Sequence, residues 1–570
     1  MSRTAAASRR AALGAWALWA APLAFLALFY FYPLGRLFAY SFGLDPDGAA
    51  GAFAGVFASA RLRGVLGFTF GQAAASTALT LLVGLPGAWL LARRTFPGRA
   101  LLRALTGIPF MMPTVVVATG FNALLGPRGW LNLALMSLLD RPAPPIELTG
   151  RLEAILLAHV FYNTTIVLRM VGDFLSRLDP RTEQAARMLG AGPLQTLRRV
   201  TLPLLAPAIG AAALLVFLFN FSSFGVVLIL GGPRFATLEV EIYRQAIGLF
   251  DLPTASALAL LQLAFTLTLS LLYLRMSARR ARPLRLAPMR LTARPLRTPA
   301  DRLRAALVIA VLLALLIAPL AALAARSVTR QEGAGGAAGL TLDYYRQLGA
   351  DRRQSMFYAP PLAAVGISLV YAAATVALAL GVGLPAAWAL ARRAGSLPGR
   401  LLDPLLMLPL GTSAVTLGLG FILALGRPPL DLRASPVLVP LVHTLVAFPF
   451  VVRSLVPALR SIRPQLRQAA AVLGASPAQA TRRVDLPLMA RAVGVGAAFA
   501  FMISLGEFGA TALIARPEFP TLPLAIYRLY GQAGALNYGQ ALALSTILMA
   551  LCGAGMLAVE RLRSGPAGEF

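Results

Sequence analysis

Long apolar stretches alternate with short, arginine-bearing polar stretches along the whole chain of 570 residues. Runs such as 13–32, 211–230 and 541–559 are each about 20 residues long, the length that an α-helix needs to cross about 30 Å of hydrocarbon. The pattern therefore predicts an all-α polytopic membrane protein of about 12 transmembrane helices. The predicted helices are 13–39, 64–92, 101–126, 152–174, 204–231 and 253–275, followed by 305–326, 358–391, 401–426, 435–457, 488–514 and 539–559.

The two halves of the chain carry the same sequence features in the same order. EQAARMLGAGPLQTLRRVTLPL (183–204) and RQAAAVLGASPAQATRRVDLPL (467–488) are identical at 14 of 22 positions. LPGAWLLARR (85–94) likewise matches LPAAWALARR (384–393). Because six helices return the chain to the side on which it began, we expect parallel repeats related by an axis along the membrane normal.

The Arg- and Pro-rich segment 277–304 separates the two sets of helices. Its composition does not suit a buried helix, so it is predicted to be a cytoplasmic linker. The chain then divides into a first repeat (1–276), this linker and a second repeat (305–570).

The charge distribution places these polar loops in the cytoplasm. The formal net charge is +30, and every one of the 52 basic residues is an arginine. Arginines concentrated between apolar helices are typical of cytoplasmic loops of inner-membrane proteins, whereas a nucleic-acid surface needs them on one soluble face. The loops predicted to be cytoplasmic are 93–100, 175–203, 277–304, 392–401 and 458–487, together with both chain termini.

The amino-terminal segment allows two interpretations. Arg9 and Arg10 before an apolar run are compatible with a secretory signal. The length of the run, its aromatic residues and the absence of a small-x-small cleavage motif favour an uncleaved first helix.

The repeated loops are predicted to be two short helices joined by a glycine. In the first copy Asp179 and Pro180 begin a helix that stops at Gly190, and Gly474 stops its counterpart. Leu202-Pro203 and Leu486-Pro487 are expected to end the second short helix of each copy. The small alanine faces favour docking of a partner protein, while amphipathic loops on lipid headgroups are the alternative. A DNA-binding helix-turn-helix does not fit a loop anchored at a membrane.

The sequence contains no recognisable catalytic or metal-binding motif. Without lysine there is no Walker A loop, so any ATP must be bound by another chain. The single cysteine, Cys552, excludes an intrachain disulfide and a multi-cysteine metal site. His159 and His443 occupy equivalent positions and are interpreted as hydrogen-bonded core residues. We expect no enzyme activity, cofactor or metal.

One acid within a predicted helix indicates a substrate path. Glu507 lies in ISLGEFG, and Ser223 occupies the equivalent position in the first half. An acid at membrane depth is a candidate functional residue, although pairing with an arginine of a neighbouring helix is the structural alternative. The proposed path residues are Phe221, Ser222, Ser223, Phe224, Glu507 and Phe508.

The repeated loops resemble the EAA loop of binding-protein-dependent ABC importer permeases, although glutamine replaces the family's glutamate in both copies. The resemblance covers nearly the whole chain and implies the fused, two-repeat type. The matching residues are Gln184, Ala185, Ala186, Leu189, Gly190 and Pro203 in the first copy and Gln468, Ala469, Ala470, Leu473, Gly474 and Pro487 in the second. It also implies docking of two cytoplasmic ATPase subunits on these loops and delivery by a periplasmic or lipid-anchored binding protein.

Segments 219–247 and 504–530 are similar to those of fused thiamine importer permeases, and ferric-iron permeases share the layout. The resemblance therefore implies thiamine or its phosphates as substrate, with ferric iron or another small solute as the alternative. A secondary transporter also uses internal repeats, but that class needs several midplane acids and gives the twin loops no role.

Overall fold

The computed structural model describes residues 18–43, 51–278, 293–330, 339–350, 359–392, 397–426 and 431–563. In these ranges nine helices are long and apolar enough to cross a membrane, and three bent helix pairs raise the number to as many as 12. The predicted all-α polytopic fold is confirmed. Arg9, Arg10 and half of the predicted linker, 279–292, lie outside the described residues.

The helices follow the chain in two similar sets, and each set includes one strand of two residues. The first set is α1 (Leu18–Ser41), α2 (Ala52–Ala58), α3 (Ala60–Arg93), β1 (Arg94–Thr95), α4 (Arg99–Leu105), α5 (Thr114–Leu125), α6 (Trp130–Leu139), α7 (Leu152–Arg177), α8 (Arg181–Met188), α9 (Pro193–Phe221), α10 (Gly225–Leu230), α11 (Leu238–Tyr243) and α12 (Leu252–Ala278). The second set is β2 (Arg294–Pro295), α13 (Pro299–Leu316), α14 (Ala318–Arg326), α15 (Asp343–Arg346), α16 (Ala363–Arg392), α17 (Leu397–Met407), α18 (Ala414–Ala424), α19 (Leu438–Ser461), α20 (Pro464–Val472), α21 (Pro477–Gly506), α22 (Gly509–Ile514), α23 (Leu522–Tyr530) and α24 (Ala535–Arg563).

The third predicted helix of each half, 101–126 and 401–426, is not straight. The chain bends by 111° before α5 and by 98° before α18. Short 3₁₀ turns at Pro109–Met111 and Leu408–Gly411 precede the bends. Proline lacks a backbone N–H and clashes with the preceding helical turn, so a continuous helix through these positions is unfavourable.

The fifth predicted helices, 204–231 and 488–514, also differ from expectation. Each is interrupted near its C-terminal end, since α9 ends at Phe221 and α21 ends at Gly506. At their N-terminal ends the helices continue through Pro203 and Pro487, where the sequence predicted a break. A π-helical turn precedes each proline, and its wider backbone makes room for the pyrrolidine ring.

The first helix of each repeat lies on the other repeat. Helix α1 packs against α18, and helix α14 packs against α5. The Tyr30 hydroxyl lies 2.7 Å from Thr412 Oγ1 and links α1 to the bend before α18. Gly120 faces the Pro319 carbonyl group at the second crossing. The two repeats therefore cannot separate without unpacking both exchanged helices.

The end of the linker is attached to the first repeat. Strands β1 and β2 pair in parallel, with Arg94 opposite Arg294. Arg94 also forms an ion pair with Asp301 at the start of α13, with Nη2 and Oδ1 3.0 Å apart. This contact brings the end of α3 and the start of the second repeat to the same face of the molecule.

Substitution of Gly120 by valine is expected to destabilise the exchanged arrangement. A Cβ atom at Gly120 would lie 3.0 Å from the Pro319 carbonyl oxygen, which is closer than normal contact. Overpacking of this kind costs about 1–3 kcal/mol. Thermal unfolding of the purified protein in detergent should show a lower midpoint for Gly120→Val. Gly71→Val is the matched control because a Cβ at Gly71 meets nothing within 4 Å; equal midpoints for both variants would contradict the prediction.

Candidate docking loops and translocation cavity

The two repeated loops have the same backbone conformation. Helix α8 ends at Met188 and α20 ends at Val472, and each is followed two residues later by a glycine in the left-handed region. Gly190 has φ +85° and Gly474 has φ +83°. An L side chain is strained at such angles, so both positions suit glycine and set the turn into α9 or α21.

Both loops present apolar side chains that no described residue covers. The exposed fractions are 88% for Met188 and 90% for Leu189, and 87% for Val472 and 86% for Leu473. Ala186 and Ala470 are half-buried, while the other predicted docking residues are exposed. The exposed set comprises Gln184, Ala185, Gly190 and Pro203 in the first loop and Gln468, Ala469, Gly474 and Pro487 in the second. Paired apolar tips on polar loops are typical of surfaces that bind another protein.

A polar contact joins the start and the end of each loop, and the residue at its first position is an acid in one copy and an arginine in the other. In the first loop Thr201 Oγ1 donates a hydrogen bond to Glu183 Oε1 at 3.2 Å, and Arg93 forms an ion pair with the same oxygen at 3.0 Å. In the second loop Arg467 Nε lies 2.9 Å from Asp485 Oδ1. Positions 183 and 467 are equivalent. A glutamate in the first loop and an arginine in the second therefore make the corresponding contact with opposite charges.

A cavity of about 460 Å³ lies between the repeats, and residues of both repeats line it. Its volume is typical of sites for small molecules. Phe224 and its repeat equivalent Phe508 meet at this cavity with ring centroids 5.4 Å apart. Tyr243 and Tyr527 flank them at 5.5 and 5.4 Å, which makes a row of four rings related by the repeat.

The structure brings most of the predicted path residues together. Ser222, Ser223, Phe224, Glu507 and Phe508 all line the cavity. The remaining one does not reach it. Phe221 is fully buried among other aromatic rings, with its centroid 5.0 Å from that of Phe70.

Glu507 caps the helix that follows the break in the second repeat. Its Oε1 accepts a hydrogen bond from the Ala510 N–H at 2.8 Å, and its Oε2 accepts from the Thr511 N–H at 3.0 Å. The Thr511 hydroxyl donates to Oε2 at 2.5 Å, and His443 Nε2 lies 3.4 Å from the same oxygen. The partners are therefore helix N–H groups, a threonine hydroxyl and a histidine, whereas the structural alternative named an arginine.

Each histidine holds its helix break against neighbouring helices, as expected for hydrogen-bonded core residues. His159 lies 2.8 Å from Ser223 Oγ through Nε2 and 2.9 Å from Ser76 Oγ through Nδ1. His443 lies 2.9 Å from Thr511 Oγ1 through Nε2 and 2.8 Å from Ser504 Oγ through Nδ1. In both repeats the Nε2 atom of the histidine thus contacts a residue at or just after the helix break.

Several polar residues of the cavity lining were missed by the sequence analysis, among them Glu239 and Asn220. Glu239, on α11, is 1% exposed, and Asn220, at the end of α9, is fully buried. Both line the cavity. A comparison of the repeats could have revealed Glu239, since Pro523 occupies the equivalent position. Asn220 gave no such signal because an amide in an apolar helix has many structural uses.

The family model described as "binding-protein-dependent transport system inner membrane component" matches residues 84–282 and 380–562. The chain belongs to this family. One match lies in each half, so the permease carries the family's domain twice. The predicted resemblance and the role of transport subunit are confirmed.

Relatives of the permease cover most of its length. The thiamine transport system permease protein ThiP of Escherichia coli is 30% identical over 507 residues, which cover 87% of this chain and 88% of that protein. The protein of the same name from Brucella abortus is 30% identical over 507 residues and 88% of each chain. A protein of Salmonella paratyphi A named as a 2-aminoethylphosphonate transport system permease protein, PhnU, is 32% identical over 253 residues, covering 88% of its own length and 44% of this chain. That relative therefore corresponds to about half of the permease.

Substitution of Glu507 by glutamine is expected to destabilise the permease. A glutamine amide has one acceptor oxygen, so its NH₂ group would face donors that the carboxylate now accepts from. A lost hydrogen bond to a charged group costs about 1.5–3 kcal/mol. Thermal unfolding in detergent should therefore show a lower midpoint for Glu507→Gln than for the wild type. Glu518→Gln, in the loop after α22, removes the same charge and serves as the control; an unchanged midpoint for Glu507→Gln would show that the cap is dispensable.

Proposed function

We propose that the permease is the membrane-spanning subunit of an ATP-driven importer of thiamine or its phosphates in a bacterial inner membrane. The observation that carries this proposal is the combination of twin exposed docking loops with a cavity between the repeats. The family match supports transport with a binding protein, and the names of the full-length relatives support thiamine.

The proposed partners are two cytoplasmic ATPase subunits, one on each docking loop. The sequence has no lysine for a phosphate-binding loop, so the chain needs ATP hydrolysis from elsewhere. A bound ATPase would cover Leu189 and Leu473, which are otherwise exposed to water. The arginine-rich loops favour a cytoplasmic position for this face and for both chain termini. A periplasmic or lipid-anchored binding protein would deliver substrate to the opposite face.

The cavity suits a cationic aromatic substrate. Thiamine carries a positively charged thiazolium ring and an aminopyrimidine ring. The lining offers the carboxyl group of Glu239 and the rings of Phe224 and Phe508. Aromatic faces and carboxylates both attract a cation that has left water.

Introduction of an acid at the tip of a docking loop is expected to abolish coupling. Leu473 is exposed, so Leu473→Asp should leave the fold intact but prevent the apolar tip from entering a partner's groove. Substrate uptake by proteoliposomes containing the whole complex should fall at least about tenfold, which corresponds to loss of about 1.4 kcal/mol of coupling. Co-purification of the ATPase subunits measures docking directly.

Gln465→Asp places the same charge on an exposed residue in the first turn of α20 and is the matched control. An acid is favourable near a helix N-terminus, so this variant should retain uptake. Normal uptake and co-purification for Leu473→Asp would refute docking through this tip.

Thiamine uptake tests the substrate directly. The permease, co-expressed with the proposed ATPase and binding-protein partners, should restore uptake of radiolabelled thiamine to a host that lacks its own thiamine importer. A catalytically inactive ATPase is the control and should give background uptake. If ferric iron or 2-aminoethylphosphonate accumulates in an ATPase-dependent manner and thiamine does not, the thiamine assignment is wrong while the permease assignment stands.

A further inference from the structure

The two acids of the cavity differ in how much hydrogen-bonding capacity remains for a substrate. A carboxylate offers about four acceptor positions. Those of Glu507 are occupied by Ala510, by two donors of Thr511 and by the nearby His443. Glu507 is therefore committed to the protein.

Glu239 uses only half of its acceptor positions. Its Oε1 accepts from Gln262 Nε2 at 3.1 Å, and its Oε2 accepts from Ser413 Oγ at 2.6 Å. No arginine or histidine in the described part of the chain forms an ion pair with it. Both partners are neutral, so the carboxylate charge is balanced by no cation.

Ser413 places Glu239 at the boundary between the repeats. The serine belongs to the second repeat and caps α18, because its hydroxyl oxygen accepts from the Val415 N–H at 3.1 Å. The positive end of the 11-residue helix α18 is thus directed through Ser413 towards Glu239. A residue of the second repeat, at the start of a helix, thus holds Glu239 in place.

An independent observation also indicates a ligand. Asn220 is fully buried and lines the same cavity, yet its Nδ2 has no hydrogen-bond partner among the described residues. Its Oδ1 already accepts from Asn163 Nδ2 at 2.7 Å, which directs the amide so that Nδ2 is the free group. A buried donor without a partner is unfavourable, so an acceptor on the substrate would be stabilising.

We propose that Glu239 is the charge-selecting residue of the cavity, and that the cavity takes an organic cation whose aromatic ring bears a hydrogen-bond acceptor for Asn220. The carboxylate attracts the cationic group, the rings of Phe224 and Phe508 stack on the aromatic part, and Asn220 Nδ2 donates to a ring nitrogen. This inference rests on the proposed function, since it assumes that the cavity lies on the substrate path. Described lining residues include no arginine that would repel such a cation.

Glu239→Gln removes the charge with little structural change. The new amide oxygen can accept from Ser413, and the new NH₂ group can donate to Gln262 Oε1, which has no partner at present among the described residues. Glu241→Gln is the matched control. Glu241 is a buried acid on the same helix, but it does not line the cavity and is paired with Arg61 at 2.9 Å.

Charged thiol reagents measure the charge selectivity of the cavity without any assumption about the substrate. Ser222→Cys would place a thiol in the cavity lining, in a Cys552→Ala background that removes the native thiol. In the purified complex the ratio of the labelling rate with a quaternary-ammonium methanethiosulfonate to that with its sulfonate counterpart is compared. Glu239→Gln should lower this ratio about three- to tenfold, because a unit charge a few ångströms away has an effect of this size even in water. Glu241→Gln should leave it unchanged.

Transport then tests the substrate class. Proteoliposomes supplied with the binding protein import thiamine or its neutral thiophene isostere, and the thiamine-to-isostere uptake ratio is compared between variants. The contribution of the binding protein cancels because it is the same throughout. Glu239→Gln should lower the uptake ratio about tenfold or more, which corresponds to at least about 1.4 kcal/mol.

The outcomes separate this inference from the proposed function. An unchanged labelling ratio in Glu239→Gln overturns the charge-selecting role even if thiamine is imported. A lowered labelling ratio with no thiamine import by the wild type supports the cationic cavity and overturns the proposed substrate. If Glu239→Gln unfolds, Glu239→Asp decides, because it retains the charge. A lowered ratio in Glu239→Asp as well would show that Glu239 acts only as a structural tie between the repeats.

Discussion

A backbone N–H freed by a helix break inside a membrane must be paired by protein, since hydrocarbon offers no hydrogen-bond partner. Both fifth helices of the permease break beside the cavity that residues of both repeats line. Glu507 pairs the freed N–H groups after the second break, and the two histidines tie both breaks to neighbouring helices. These requirements confine the breaks to the protein interior, where the two repeats meet and the cavity forms.

Duplication has kept the geometry of the repeats while their chemistry has diverged. The loop base is closed by Glu183 and Thr201 in one copy and by Arg467 and Asp485 in the other. At the cavity, position 507 is an acid that serves the fold, whereas its equivalent is Ser223. Glu239 supplies an acid from the first repeat alone. A symmetrical frame thus encloses an asymmetrical lining, which suits a substrate that has no two-fold symmetry itself.

Much of the architecture could be predicted because membrane helices are specified locally. Twelve apolar stretches, their repeat and the arginine loops are readable from composition and spacing, and the glycine at the turn of each docking loop follows from local backbone preference. The bends before α5 and α18 were missed, although Pro109 and Pro409 mark their positions, because proline is tolerated in many membrane helices. The π-helical turns that accommodate Pro203 and Pro487 have no comparable sequence signal.

The sequence by itself determined the fold class, the repeat, the two repeated loops and the presence of an acid in the second half. Each depends on residues that are close together in the chain. Only the tertiary structure decided which polar groups face the cavity and which are already paired. Glu507 accepts hydrogen bonds from the N–H groups of Ala510 and Thr511, which are three and four residues away in the chain. Glu239 accepts one from Ser413, which lies 174 residues away. The number of unoccupied acceptor positions on a buried carboxylate depends on such distant donors. Glu239 could therefore be recognised as a candidate site residue only in the folded structure.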